Sequence, residues 1–101
     1  MKFEEVLDAL RNGERLTNAS LSNENGFIVR HVNQTVPAEV VPKMTSLPDS
    51  AKEHIAGAGG CDLRFYDQVL LVHWDNMRGE YKATGWSPSC YDLFREDWTI
   101  A

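Results

Sequence analysis

Apolar side chains at Phe3, Val6, Leu7 and Leu10 fall at i, i+3, i+4 and i+7, the spacing that lines one face of a helix. The pattern predicts a helix over about residues 3 to 12. Glu4 and Glu5 sit in its first turn, where the dipole favours anions, and Arg11 and Gly13 supply the usual end signals. Glu14 to Thr17 fits a short strand, and the Asn-, Ser- and Gly-rich run from Asn18 to Gly26 predicts a loop. Phe27 to Val32 is apolar, β-branched and bounded by turn residues, so it predicts a strand ending near Asn33. Between Val36 and Met44, Pro37 and Pro42 lack a ladder donor and confine any strand to a sheet edge.

Ser46-Leu47-Pro48-Asp49 has the make-up of a helix start, with Ser46 able to cap and Pro48 tolerated in the first turn. Leu47, Ala51 and Ile55 then share a face, and Gly57, Gly59 and Gly60 end the helix. Asp62 to Trp74 is apolar enough for one long strand or two short ones. Asp75 to Gly79 is a turn, and Glu80 to Trp86 returns to close a hairpin at the end of the sheet. After the Ser87-Pro88-Ser89 break, Ser89 and Asp92 have capping-box spacing, Tyr91 to Arg95 allows little more than one helical turn, and Asp97 to Ile100 makes a final strand. Strands that come in hairpins, without regular βαβ alternation, predict an α+β fold: a small antiparallel sheet with an N-terminal helix and one or two further short helices. A chain of 101 residues is expected to form a single domain over 1–101.

Ten basic against fifteen acidic residues give a net charge of −5, which removes the diffuse positive field that draws proteins onto DNA, RNA or anionic membranes. A small anionic ligand held by a few local cations is still compatible with that balance. No apolar run approaches the roughly 20 residues that span a bilayer, so a cytosolic protein is expected. Cys61 and Cys90 are expected to be buried free thiols and not a disulfide.

The residue pattern offers little conventional catalysis. His31, His54 and His73 have no partner at metal-ligand spacing, and neither a metal nor a cofactor is expected. Ser87, Ser89 and Cys90 lack a nucleophile-elbow context, and Gly57-Ala58-Gly59-Gly60 follows a helix without the lysine of a phosphate loop. Asp92 and Asp97 could form an acid–base pair or could serve as a cap and a loop acceptor. Trp86 ends a strand at the break, where its ring either stacks on a ligand at the sheet's rim or packs against the first helix. Trp74 and Trp98 are expected in a core or an interface.

The segment Gly85-Trp86-Ser87-Pro88-Ser89-Cys90-Tyr91-Asp92-Leu93-Phe94-Arg95-Glu96-Asp97-Trp98 resembles the signature of the Thoeris anti-defence 2 family: a Trp, a small-residue break with Ser, an Asp-Leu pair and a closing Asp-Trp. Met1 to Leu7 with Arg11-Asn12-Gly13, and Ser46 to Lys52, resemble further pieces of that family in the same order. The family's Trp after the first helix has no counterpart in Arg15 to Leu21, Cys90 replaces a Gln, and Gln34 to Met44 reads as an insertion. The resemblance implies a phage sponge acting in the cytoplasm of the infected bacterial host. Such a protein is no enzyme: it sequesters cyclic ADP-ribose-type signals, and in some members cyclic oligonucleotides, as a homotetramer with pockets between protomers. On that reading the ligand-binding residues are Phe3, Trp86, Ser87, Ser89, Asp92 and Asp97, with Arg15, Arg30, Arg64 and Arg78 as candidates for the diphosphate. Two other readings are an enzyme that cleaves the signal and a protein-binding inhibitor of a host defence enzyme.

Overall fold

The computed structural model describes residues 1–101 and has two compact units, Met1–His31 with Gln68–Ala101, and Val32–Asp67. In the first unit, α1 (Phe3–Arg11) buries Val6 and Leu10. It ends where Gly13 takes φ +84° and the amides of Gly13 and Glu14 return to the carbonyls of Leu10 and Ala9 at 3.0 Å each. β1 (Leu16–Thr17) follows. The stretch expected to be pure loop then folds into a one-turn helix, α2 (Ala19–Ser22). The cause is Asn18, whose buried side chain accepts from the amides of Ser20 and Leu21 at 3.0 Å, so a residue read as a turn former acts as a helix cap.

β2 (Phe27–His31), β5 (Gln68–Asp75) and β6 (Glu80–Gly85) join β1 and β7 (Thr99–Ile100) in an antiparallel sheet of order β6-β5-β2-β1-β7. Leu16 pairs with Ile28, Ile28 with Leu71, and Leu71 with Thr84, so these residues share one face. Against that face lies the core: Val6, Leu10, Leu16, Ile28 and Trp98, with Phe3, Val69 and Trp86 packed around it. α4 (Cys90–Phe94) opens on the expected capping box. The Ser89 amide and hydroxyl donate to Asp92 Oδ2 at 2.8 and 2.9 Å, and the Asp92 amide donates to Ser89 Oγ at 3.2 Å.

The second unit holds β3 (Gln34–Val36) paired with β4 (Leu63–Phe65), a 3-10 turn at Val41–Lys43, and α3 (Asp49–Ala56). No strand runs through residues 37–44. Pro37 closes β3, and Pro42 lies in the 3-10 turn, where a missing amide donor costs nothing. α3 starts later than expected, with Pro48 at the cap position instead of Ser46. Residues 62–74 divide into two strands that belong to different sheets. The α+β class is as read from the sequence: four α-helices, a five-stranded antiparallel sheet and a two-stranded one.

One side-chain expectation is corrected, and of the two places expected for Trp74, core or interface, only the core is excluded. Cys61 and Cys90 are free, but both are exposed, because each lies where the chain has turned outward: Cys61 after the glycine run and Cys90 at the first position of α4. Trp74 is not core. It sits on the sheet face opposite α1, edge-on to Tyr81 with ring centroids 5.1 Å apart, and only Trp98 of that pair is buried.

Candidate functional site

β6 ends at Gly85, and the Trp86 amide extends the ladder by one bond to the Val69 carbonyl at 2.9 Å. This fixes Trp86 on the core side of the sheet, the same side as Thr84. There its half-buried ring meets Phe3 (centroids 6.4 Å) and Trp98 (5.9 Å), and Phe3 meets Trp98 edge-on at 6.1 Å. Trp98 is 1% exposed, and its indole N–H donates to the Asp92 carbonyl of α4 at 3.1 Å. The aromatic trio therefore clamps α4 to the start of α1.

Between those two elements lies a groove of about 260 Å³, lined by Lys2, Phe3 and Glu4 on one side and Leu93, Phe94, Arg95 and Glu96 on the other. Its apolar wall is Phe3, Leu93 and Phe94, the last of which is 83% exposed. Its charges are two cations and two anions. The largest apolar ring on the surface of α4 thus stands beside a partly cationic depression.

Arg95 organises the floor of this corner. Its side chain is 9% exposed, lies 4.9 Å over the Tyr91 ring, and grips Asp97 through two parallel bonds, Nε to Oδ1 at 2.5 Å and Nη2 to Oδ2 at 2.7 Å. Asp97 Oδ2 also accepts from the Ala19 amide at 3.1 Å. Together with Asn18 it satisfies three of the amides that open α2. The hydrogen bonds from Arg95 outweigh partial desolvation and hold the Asp97 carboxyl well below the ordinary carboxylate range; the same contact raises Arg95. An Asp97 held in this way is ionised at neutral pH and has no proton to give.

Of the six residues singled out from the sequence, Phe3 alone lines the groove. Trp86 touches Phe3 and backs it from the core, so rim position and core packing coexist in one ring. Ser89 and Asp92 are bonded to each other as a cap, Ser87 is exposed in the connecting segment, and Asp97 faces α2. Asp92 and Asp97 both hold the structural roles weighed for them, cap and loop acceptor. Of the arginines considered for a diphosphate, Arg15 lies over Phe27 and donates to the Ala101 carbonyl, Arg30 is half-buried in β2, Arg78 is in the β5–β6 turn, and Arg64 is in the second unit. None of them lines the groove; Lys2 and Arg95 do. The signal for these two was weak. Arg95 carries an Asp two residues on, a spacing that places both on one side of an extended segment, and Lys2 adjoins the helix start. No group of three His, Cys, Asp or Glu side chains is gathered that could hold a metal ion.

The family model described as Tad2-like, a Thoeris anti-defense 2-like domain, matches residues 1–101. No curated protein matches the chain.

Proposed function

The chain belongs to the Thoeris anti-defence 2-like family over its whole length, and from that premise we propose that it binds and sequesters a cyclic nucleotide immune signal of the cyclic ADP-ribose type without cleaving it. The observation that carries this reading is the match across residues 1–101, which assigns an anti-defence role against Thoeris systems. The groove beside Phe3 supports it physically. Phe3 and Phe94 offer faces for a base, Trp86 backs Phe3, and each base–aromatic stack is worth about 1–3 kcal/mol. Lys2 suits a diphosphate, with Arg95 adding positive charge from the groove floor while its guanidinium stays bonded to Asp97 and Ser20, and Glu4 and Glu96 suit ribose hydroxyls.

A groove of about 260 Å³ falls short of the roughly 300–1,000 Å³ that enclose a ligand of this size, so a second protomer supplies the remaining wall in this proposal. The homotetramer with shared pockets is the assembly that the resemblance implies. The place of action is the cytoplasm of an infected bacterium; no helix is long and apolar enough to cross a membrane.

The test is titration calorimetry with glycocyclic ADP-ribose, followed by heating the complex and identifying the released compound by mass spectrometry. The expected result is saturable binding, intact ligand, and affinity at least tenfold weaker in Phe94→Ala and in Lys2→Gln. A chemically altered ligand would replace this reading with an enzyme. No binding at millimolar ligand, with host-enzyme inhibition retained, would replace it with the protein-binding inhibitor, for which exposed Tyr91 and Phe94 offer a contact surface.

A further inference from the structure

The second unit, Val32–Asp67, has two buried apolar side chains, Val36 and Val41, and neither belongs to the cluster of Val6, Leu10, Leu16, Ile28 and Trp98 that forms the core of the first. Its elements add little to that. α3 buries no residue fully, and β3 and β4 pair at three positions in a two-stranded sheet, a form that is marginal in water by itself. A unit of fewer than roughly 40 residues normally needs a disulfide, a metal or a partner to hold its fold. Cys61 is a free thiol, and no group of His, Cys, Asp or Glu is gathered that could hold a metal.

Polar ties take the place of a core. Lys52 of α3, whose side chain is 16% exposed, donates to the Met44 carbonyl at 2.8 Å and the Pro42 carbonyl at 3.5 Å, and pairs with Asp49 at 3.1 Å. Asp62 Oδ1 accepts from the Ala38 amide at 2.8 Å, and Asp67 Oδ1 from the Asn33 amide at 2.6 Å. The ladders are also separate. His31–Gln68 is the last pair of β2 and β5, Gln34–Phe65 is the first of β3 and β4, and Val32, Asn33, Tyr66 and Asp67 belong to neither. The five-stranded sheet therefore keeps every pair when β3 and β4 part. We infer that Val32–Asp67 opens as one cooperative unit while the first unit stays folded, with Lys52 as the pin that sets how often it opens. The free energy of an opening rises with the apolar surface it exposes, and this one releases two buried side chains against five in the cluster of the first unit. This inference stands apart from the ligand reading, because none of these residues lines the groove.

The test is native-state hydrogen exchange by nuclear magnetic resonance on the full chain, in urea below the unfolding transition, for wild type, Lys52→Met and Asp62→Ala. It compares the hydrogen-bonded amides of Val41, Met44 and Gly57 and the β3–β4 ladder with the β2–β5 ladder. The expected result is one shared protection and one shared urea slope for the amides of the second unit, about 100-fold below the β2–β5 ladder. Lys52→Met keeps the length of the stem and removes the donor, so it should lower protection across Val32–Asp67 by about tenfold or more and leave the β2–β5 ladder unchanged. Asp62→Ala should do the same by freeing the Ala38 amide. A Lys52→Met chain whose second unit is wholly unprotected while the β2–β5 ladder persists is the extreme form of this result. Second-unit amides as protected as the β2–β5 ladder overturn the inference, and so do amides with unrelated urea slopes. Lys52→Met that leaves both units unchanged, or lowers both equally, overturns the pin.

Discussion

Replacing Trp98 with Ala removes the largest buried side chain of the protein and separates three elements at once. The indole packs edge-on against Phe3 of α1 and against Trp86 after β6, and its N–H holds the Asp92 carbonyl of α4. A large-to-small change of this kind costs about 3–5 kcal/mol. Total stability for such a domain is about 5–15 kcal/mol, so the loss is a large share of it. With a urea slope near 1.5 kcal/mol/M, the midpoint should fall by roughly 2–3 M. Trp98→Phe keeps most of the ring and leaves the Asp92 carbonyl without its donor, so it should lie between wild type and Ala, about 1–3 kcal/mol down. Equilibrium urea unfolding followed by far-ultraviolet circular dichroism measures both, since fluorescence would follow the very residue removed. In Trp98→Phe, amide exchange at Leu93 and Arg95, which bond to Ser89 and Tyr91 within α4, should quicken ahead of the core strands. A midpoint shift below 0.5 M for Trp98→Ala would refute the clamp.

Two further outcomes follow from the same corner. Asn18→Ala strips the buried cap from α2 and should cost about 1–2 kcal/mol, read as a drop of several degrees in the thermal midpoint; an unchanged midpoint would mean that Asp97 alone suffices to hold the turn. Asp97 is lowered from its ordinary 3.8 in the folded chain, so the folded state holds fewer protons than the unfolded one. Its contribution is therefore complete above the unfolded value and is lost as pH falls from about 5 through the folded value. Unfolding free energy should decline more steeply between pH 5 and 2 in wild type than in Asp97→Asn, and parallel curves would contradict the Arg95 grip.

What the sequence determined by itself was the set of local elements whose causes lie within a few residues. The i, i+3, i+4 stripe and Gly13 place α1, the Ser89–Asp92 spacing places the cap of α4, and the β-branched run gives β2. Family membership was legible for the same reason, since the resemblance rests on short contiguous strings, above all Gly85 to Trp98, and the family model matches residues 1–101. Tertiary structure decided what depends on residues far apart. Asn18 becomes a helix cap and not merely a turn former once Asp97, 78 positions away from Ala19, takes the neighbouring amide. Trp86 turns toward the core because its amide bonds Val69, and Asp97 is bonded to Arg95 and to the Ala19 amide. Periodicity shows that a helix or strand has an apolar face. Which neighbour covers that face, or whether any does, is fixed only when strand register puts Phe27, Val72 and Ala83 side by side.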